Sequence, residues 1–139
     1  MIQLGFFGLN FKKSLKRTVL NLVIKNIEIH NKALRFPIEV KKMKKMIKAK
    51  IISIKRRSKY ILIDLNNNFT ILIHLGMTGK IFIVNSKNQK FKTSFYYNLD
   101  EKNLKHNHIT IEFNKKYKLI YNDIRKFGFI KIIKTNKIN

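Results

Sequence analysis

Four short stretches of this sequence hold the side chains best suited to chemistry. They are KRRSKY at 55–60, HLGMTG at 74–79, KHNH at 105–108 and YNDIRKFG at 121–128. A basic run such as the first is usually a solvated face. Strand alternation carried through it would place Lys55, Arg57 and Lys59 on one side, where three cations converge. In the second stretch, Gly76 and Gly79 permit positive φ and close backbone approach around an apolar tip, Met77. That methionine either folds back onto a core or points outward into something apolar. His106 and His108 form an i, i+2 pair that would suit a metal only with a third ligand, and His106 suits a phosphate at least as well. In the fourth stretch Asp123 can cap a turn, Arg125 and Lys126 are cationic, and Phe127 stands before Gly128 at a second bend. Proteins that extrude a base from a duplex fill the vacated stack with apolar or planar side chains. Met77, Arg125 and Phe127 match that chemistry, provided both bends lie on one edge of the fold.

The elements that must position these residues can be read from periodicity. Residues 11–24 place Phe11, Leu15, Val19, Leu22 and Val23 at helical spacing. Residues 39–50 place Val40, Met43, Met46 and Ile47 on one helical face, with the methionines as a packing seam. KNIEIHNKALRF alternates and predicts a strand or hairpin ending near Pro37. From residue 51 the period is two: IISIKRR, KYILIDL, FTILIHL, KIFIVN, HITIEF, YKLIYND and FGFIKII are predicted strands, with NNN at 66–68 as a hairpin turn. Residues 85–105 are polar and predict a long loop. The sum is a mainly β chain of α+β type: two helices and an antiparallel sandwich or barrel of about eight strands. Residues 1–139 form a single domain on this reading.

Composition narrows the class of partner. Lys and Arg total 31 against 7 Asp and Glu, a net charge of +24, and self-repulsion on that scale is relieved by a polyanion. Nucleic acid comes first and an anionic membrane surface second. The 26 lysines, 23 isoleucines and 16 asparagines also fit AT-rich codon usage, so the five arginines carry more information per residue. With no cysteine there is no disulfide, no cysteine zinc site and no thiol nucleophile. No apolar run of the length a membrane helix needs is present, and the apolar start, MIQLGFFGLNFKK, has its charge on the wrong side for a signal peptide. The expectation is a monomeric, cytoplasmic, nucleoid-associated protein with no metal and no membrane partner.

Taken together, RRSKYILIDL, ILIHLGMTG, KHNHITIEF and YNDIRKFG resemble, in order and approximate spacing, the N-terminal domain of formamidopyrimidine-DNA glycosylase, a bacterial enzyme of oxidative-damage repair. The resemblance runs from Ser14 to Ile133 and implies a β-sandwich with two helices. It implies excision of 8-oxoguanine and formamidopyrimidines from duplex DNA, followed by lyase cleavage of the abasic site. Met77, Arg125 and Phe127 would enter the duplex, Arg125 pairing with the orphaned base and Phe127 wedging its neighbour. Lys59 would be a catalytic lysine near the lesion phosphate, with His74, His106 and Arg57 at the DNA face. The sequence also departs from the family pattern. The family opens Met-Pro-Glu-Leu-Pro-Glu, its proline amine being the nucleophile and its glutamate the acid. This chain opens Met1-Ile2-Gln3-Leu4-Gly5, and its first acidic residue is Glu28. The helix–two-turn–helix region and the four-cysteine zinc finger of the family are absent from the 139 residues, so no zinc is expected. The expectation is therefore a domain with impaired excision, or alternatively a non-catalytic basic DNA-binding remnant.

Overall fold

Isoleucine at alternate positions supplies the inner face of five strands among the described residues. The computed structural model describes residues 2–3, 18–31, 34, 36–85, 106–115 and 117–137. Among the described residues nine strands run in chain order: β1 (Ile2–Gln3), β2 (Ile24–Ile29), β3 (Ile51–Arg57), β4 (Tyr60–Leu65), β5 (Phe69–His74), β6 (Gly79–Asn85), β7 (Asn107–Phe113), β8 (Tyr117–Asp123) and β9 (Phe129–Lys134). One short helix, α1 (Val40–Lys44), lies between β2 and β3, and a 3₁₀ turn, Thr135–Lys137, follows β9. The strands form two antiparallel sheets, ordered β1-β6-β8-β7-β2 and β3-β4-β5-β9. Ile27, Ile81, Ile83, Ile109 and Ile111 of the first sheet and Ile61, Ile63, Ile71, Ile73, Ile130 and Ile132 of the second share one buried cluster. Each such side chain contributes roughly 1.5–3 kcal/mol by leaving water. The predicted antiparallel β-sandwich is the observed one.

Two features of the reading change. The helical spacing over 11–24 ends before its predicted C-terminus: residues 18–19 are helical, 20–21 turn, and Ile24 already opens β2. The cause is pairing with distant backbone: Val23 bridges Lys50, and Ile24 N–H donates to the Ala49 carbonyl at 2.8 Å. Residues 11–17 of that predicted helix lie outside the described residues. Of the strand or hairpin read in the alternating segment, the structure shows a strand, β2, which pairs with β7. The predicted loop 86–105 also lies outside the described residues, and the two-residue strand β1 carries no sequence signal of its own. The helix at Val40 is only five residues long, but Met43 and Met46 are both buried as the seam reading required.

The topology decides where the two bends fall. β5 belongs to one sheet and β6 to the other, so residues 75–78 cross between sheets. β8 and β9 stand in the same relation, so residues 124–128 cross back. Because His74 pairs with Phe129 and Gly79 pairs with Asp123, both crossovers are pinned side by side on one edge of the sandwich.

Ile73 is fully buried and Ile52 is 53% exposed, although both sit in β-strands. Ile73→Ala should cost about 2–5 kcal/mol in urea unfolding, whereas Ile52→Ala should stay within about 0.5 kcal/mol.

Candidate nucleic-acid interface

The side chain at the centre of this edge is Asp123, at the end of β8 and 0% exposed. Its Oδ1 accepts from the Thr78 hydroxyl (2.5 Å) and the Lys126 N–H (3.1 Å). Its Oδ2 accepts from the Tyr121 hydroxyl (2.9 Å) and the Gly128 N–H (2.8 Å). A buried carboxylate is tolerated only with such donors around it. Those donors come from the first crossover, from β8 and from the second crossover, so one carboxylate fastens both. Thr78 extends the clasp, because its Oγ1 also accepts from the Arg125 N–H at 3.1 Å.

Backbone contacts complete it. Gly76 has φ +60°, and a Cβ there would lie 2.9 Å from the Gly128 nitrogen, so the crossovers touch main chain to main chain. A Cβ on Gly128 would lie 2.1 Å from the Tyr121 hydroxyl and 2.3 Å from the His74 carbonyl. Leu75 N–H donates to the Lys59 carbonyl (3.0 Å), tying the β3–β4 turn to the same edge, and Asp123 N–H donates to the His106 carbonyl (3.0 Å).

Met77, Arg125 and Phe127 lie on the two crossovers, and Arg57, Lys59, His74 and His106 lie in strands or turns next to them. Met77 is 74% exposed and Phe127 52%, so Met77 points outward rather than folding back onto a core. Arg125 is exposed between them, with Arg57 and Lys59 exposed at the β3–β4 turn. His74 ends β5 with its ring stacked on Phe129 (5.1 Å, 6° between planes) and edge-on to Tyr60 (4.6 Å). Its Nδ1 accepts from the Gly76 N–H at 3.1 Å. His106 is half-buried in the turn before β7. One expected grouping fails: Lys55, Arg57 and Lys59 do not share a strand face. β3 ends at Arg57, Ser58 takes φ +54°, and Lys59 belongs to the turn. Lys55 instead pairs with Asp64 at 3.3 Å.

Two titrating groups border Asp123. Burial, then the Asp123 charge and its hydrogen bond, push the Tyr121 phenol far above its ordinary value, so it remains a donor. His108 is fully buried with Nε2 2.7 Å from the Asp123 carbonyl oxygen. A carbonyl can only accept, so Nε2 carries the proton and Nδ1 is bare in the neutral ring. Burial pushes its pKa below the usual value and outweighs the raising effect of that bond and of the Asp123 charge. His108 is thus a neutral strut beneath Asp123. Among the described residues no group of three His, Cys, Asp or Glu is arranged to hold a metal.

Comparison with known proteins agrees with this geometry. Residues 10–130 match the model of the formamidopyrimidine-DNA glycosylase N-terminal domain. The chain belongs to that family. It is similar to the formamidopyrimidine-DNA glycosylases of Rickettsia canadensis (36% identical over 125 residues) and Rickettsia africae (34% over 125), covering 90% of this chain and 41% of each relative. Among solved structures it resembles Lactococcus lactis Fpg bound to DNA containing N7-benzyl-Fapy-dG, with TM-score 0.69 and 25% identity over 91% of this chain and 42% of that one. A second complex of the Lactococcus lactis protein, with DNA containing an abasic site, matches with TM-score 0.69. The chain therefore spans about two fifths of the relatives it matches. The family match begins at residue 10, so Ile2 and Gln3 lie outside it.

Within this family member, sequence reasoning missed the part Thr78 and Tyr121 play in holding the bends, and it read His108 only as half of a possible metal-binding pair. Tyr121 had a signal: it faces the same way as Asp123 two residues on, and an inward tyrosine needs a partner for its hydroxyl. It also missed Ile124, an exposed apolar residue (48%) in the second crossover.

Asp123→Asn must turn its NH₂ toward a backbone N–H donor in either orientation, and should cost roughly 3 kcal/mol of stability by urea denaturation. The His108 pKa sets a pH dependence of the opposite sense to a salt-bridged histidine. The unfolded ring takes up its proton near 6.5 and the folded ring resists it, so stability should be full above about pH 6.5 and fall as pH drops below it. Comparing urea midpoints of wild type and His108→Asn between pH 7.5 and 5.5 isolates that component.

Proposed function

We propose that this chain is a DNA-repair domain of glycosylase/AP-lyase type that grips duplex DNA at a damaged nucleotide, with oxidised purines such as 8-oxoguanine and formamidopyrimidine as the lesions. The observation that carries the reading is the pair of crossovers fastened by Asp123, which holds Met77, Arg125 and Phe127 outward on one edge with no packing role. Met77 and Phe127 fill the gap left by an extruded base, and Arg125 meets the unpaired partner. Arg57, His74 and His106 contact phosphates beside them. The resemblance to structures of Lactococcus lactis Fpg with lesion-containing DNA supports this use of the edge.

Lys59 is the amine placed for chemistry. Its turn is bonded to Leu75, next to the crossover that carries Met77. Ile2, by contrast, pairs with Ile83, four positions along β6 from Gly79 or about 13 Å at strand spacing. The Lys59 amine adds to the C1′ aldehyde of an abasic site, water leaves, and the resulting iminium allows elimination of the 3′ phosphate. Gln3 has no proton to deliver to a departing base, so excision of an intact lesion is slow. A second reading, a DNA-binding domain without catalysis, is favoured by that same distant placement of β1.

Three measurements test this. Met77→Ala and Phe127→Ala should leave binding to undamaged duplex within twofold. Each should reduce preference for an abasic site about tenfold, roughly 1.4 kcal/mol, without lowering thermal stability. Equal loss on both duplexes would remove the wedge role. Borohydride trapping on abasic duplex should yield a covalent adduct that Lys59→Ala abolishes; its survival would transfer the chemistry to another amine, and its absence in wild type would favour the non-catalytic reading. Rapid release of 8-oxoguanine would show that the acid is supplied elsewhere.

A further inference from the structure

At the far end of the β5–β9 ladder the structure holds a second basic feature. Phe69 pairs with Lys134 there, five positions from the His74–Phe129 pair that borders the crossovers, or roughly 17 Å at strand spacing. Between this end and α1 lies a cavity of about 420 Å³, within the roughly 300–1,000 Å³ of small-ligand sites. Its wall is apolar, built from Met46, Phe69 and Ile132, and Lys42, Lys45 and Lys134 stand around it. A second cavity of about 480 Å³ shares Phe69 and Lys134 and adds Asn68, Thr135 and Asn136. The two form one groove with Phe69 in the middle, and among the described residues no acidic side chain lines either part. Lys42 is held by Glu39 at 2.9 Å, which leaves Lys45 and Lys134 as the groove's cations.

We propose that this groove binds single-stranded nucleic acid, seating unstacked bases against Phe69 while Lys45 and Lys134 take the phosphates. The chemistry of the lining selects that class. An aromatic ring inside a cationic groove is the arrangement that tracks single strands, because every base has an apolar face and every linkage a charge. Two adjoining cavities suit a repeating ligand. The amides of Asn68 and Asn136 offer both donors and acceptors, as base edges require. A duplex keeps its bases stacked inside and would use only the lysines. An acidic peptide brings the charge without the planar apolar units. The site lies away from Met77 and Phe127, so one domain can hold a lesion on one edge and a displaced or neighbouring single strand on the other.

The test is fluorescence anisotropy on the full 139-residue chain with labelled dT12, a 12-bp abasic duplex and a poly-glutamate competitor. The Lys45→Ala/Lys134→Ala variant should weaken dT12 binding at least fivefold and lower its salt slope by about 1.4, the share of two phosphates on a single strand. It should leave the duplex within twofold. Phe69→Leu, which keeps an apolar side chain but removes the ring, should weaken dT12 about threefold with the salt slope unchanged. The proposal is overturned if dT12 binding is unaffected by these changes, if duplex and single strand lose affinity equally, or if poly-glutamate displaces dT12 as well as unlabelled dT12 does. Met77→Ala serves as the internal contrast: its effect is confined to the abasic duplex, so failure of the groove and failure of the wedge are read separately.

Discussion

A carboxylate with no exposed surface, Asp123, receives four hydrogen bonds from three separate parts of the chain. Removing such a group from water costs several kcal/mol, and only fully aligned donors offset it. Only bend conformations that aim Thr78 Oγ1, Lys126 N–H and Gly128 N–H at one point satisfy that demand. Lys126 accordingly sits at φ +59°, a left-handed conformation a lysine does not adopt unassisted. The shape of the candidate interface follows from a desolvation penalty inside the protein, independently of any contact its outer side chains make.

That division of labour explains how large side chains can stand exposed at a tight edge. The crossovers are held by main-chain approach between Gly76 and Gly128, by register at His74–Phe129 and Gly79–Asp123, and by the Asp123 clasp. The side chains of Met77, Arg125, Phe127 and Ile124 stand exposed outside that clasp, to which Arg125 contributes only its backbone N–H, and are available for a partner. Beside them the edge-on and stacked rings of Tyr60, His74, Phe129 and Phe36 form a rigid ledge, with the Lys131 ammonium 4.4 Å from the Phe36 ring centre. A site of this design changes its outer residues at little cost to stability but changes its hub only with loss of the whole edge.

The charge of the chain is expressed unevenly. Glu28, Glu39, Asp64 and Glu112 are each engaged by a neighbouring basic side chain, and Asp123 is buried. Among the described residues many cations, including Lys45, Arg57, Lys59, Arg125 and Lys134, are exposed. Simple repulsion would spread those cations evenly. The fold instead sets Arg57, Lys59 and Arg125 beside the crossovers, and Lys45 and Lys134 beside an apolar groove at the other end of the same ladder. Charge draws a polyanion in without telling one from another; in the proposed roles, the neighbouring wedge and groove would supply shape.

Much of this was legible without coordinates. Period-two isoleucine patterns located the strands from Ile51 onward, since alternation is a local property of a half-buried strand. HLGMTG and YNDIRKFG marked the bends, because glycine and a capping aspartate are local requirements of a turn. Met77, Arg125 and Phe127 could be named as tip residues on the same grounds. The sequence could not show that Ile24 leaves a helical spacing to enter a sheet, because that depends on Val23 meeting Lys50. Nor could it extend or deny the alternation at Lys59, which turns on a positive φ at Ser58. Above all, whether two bends some fifty positions apart share an edge is a question of which sheet each strand joins. Tertiary structure decided it, because β5 and β9 pair in one sheet while β6 and β8 pair in the other, and only that crossing brings Thr78 and Gly128 to the same buried carboxylate.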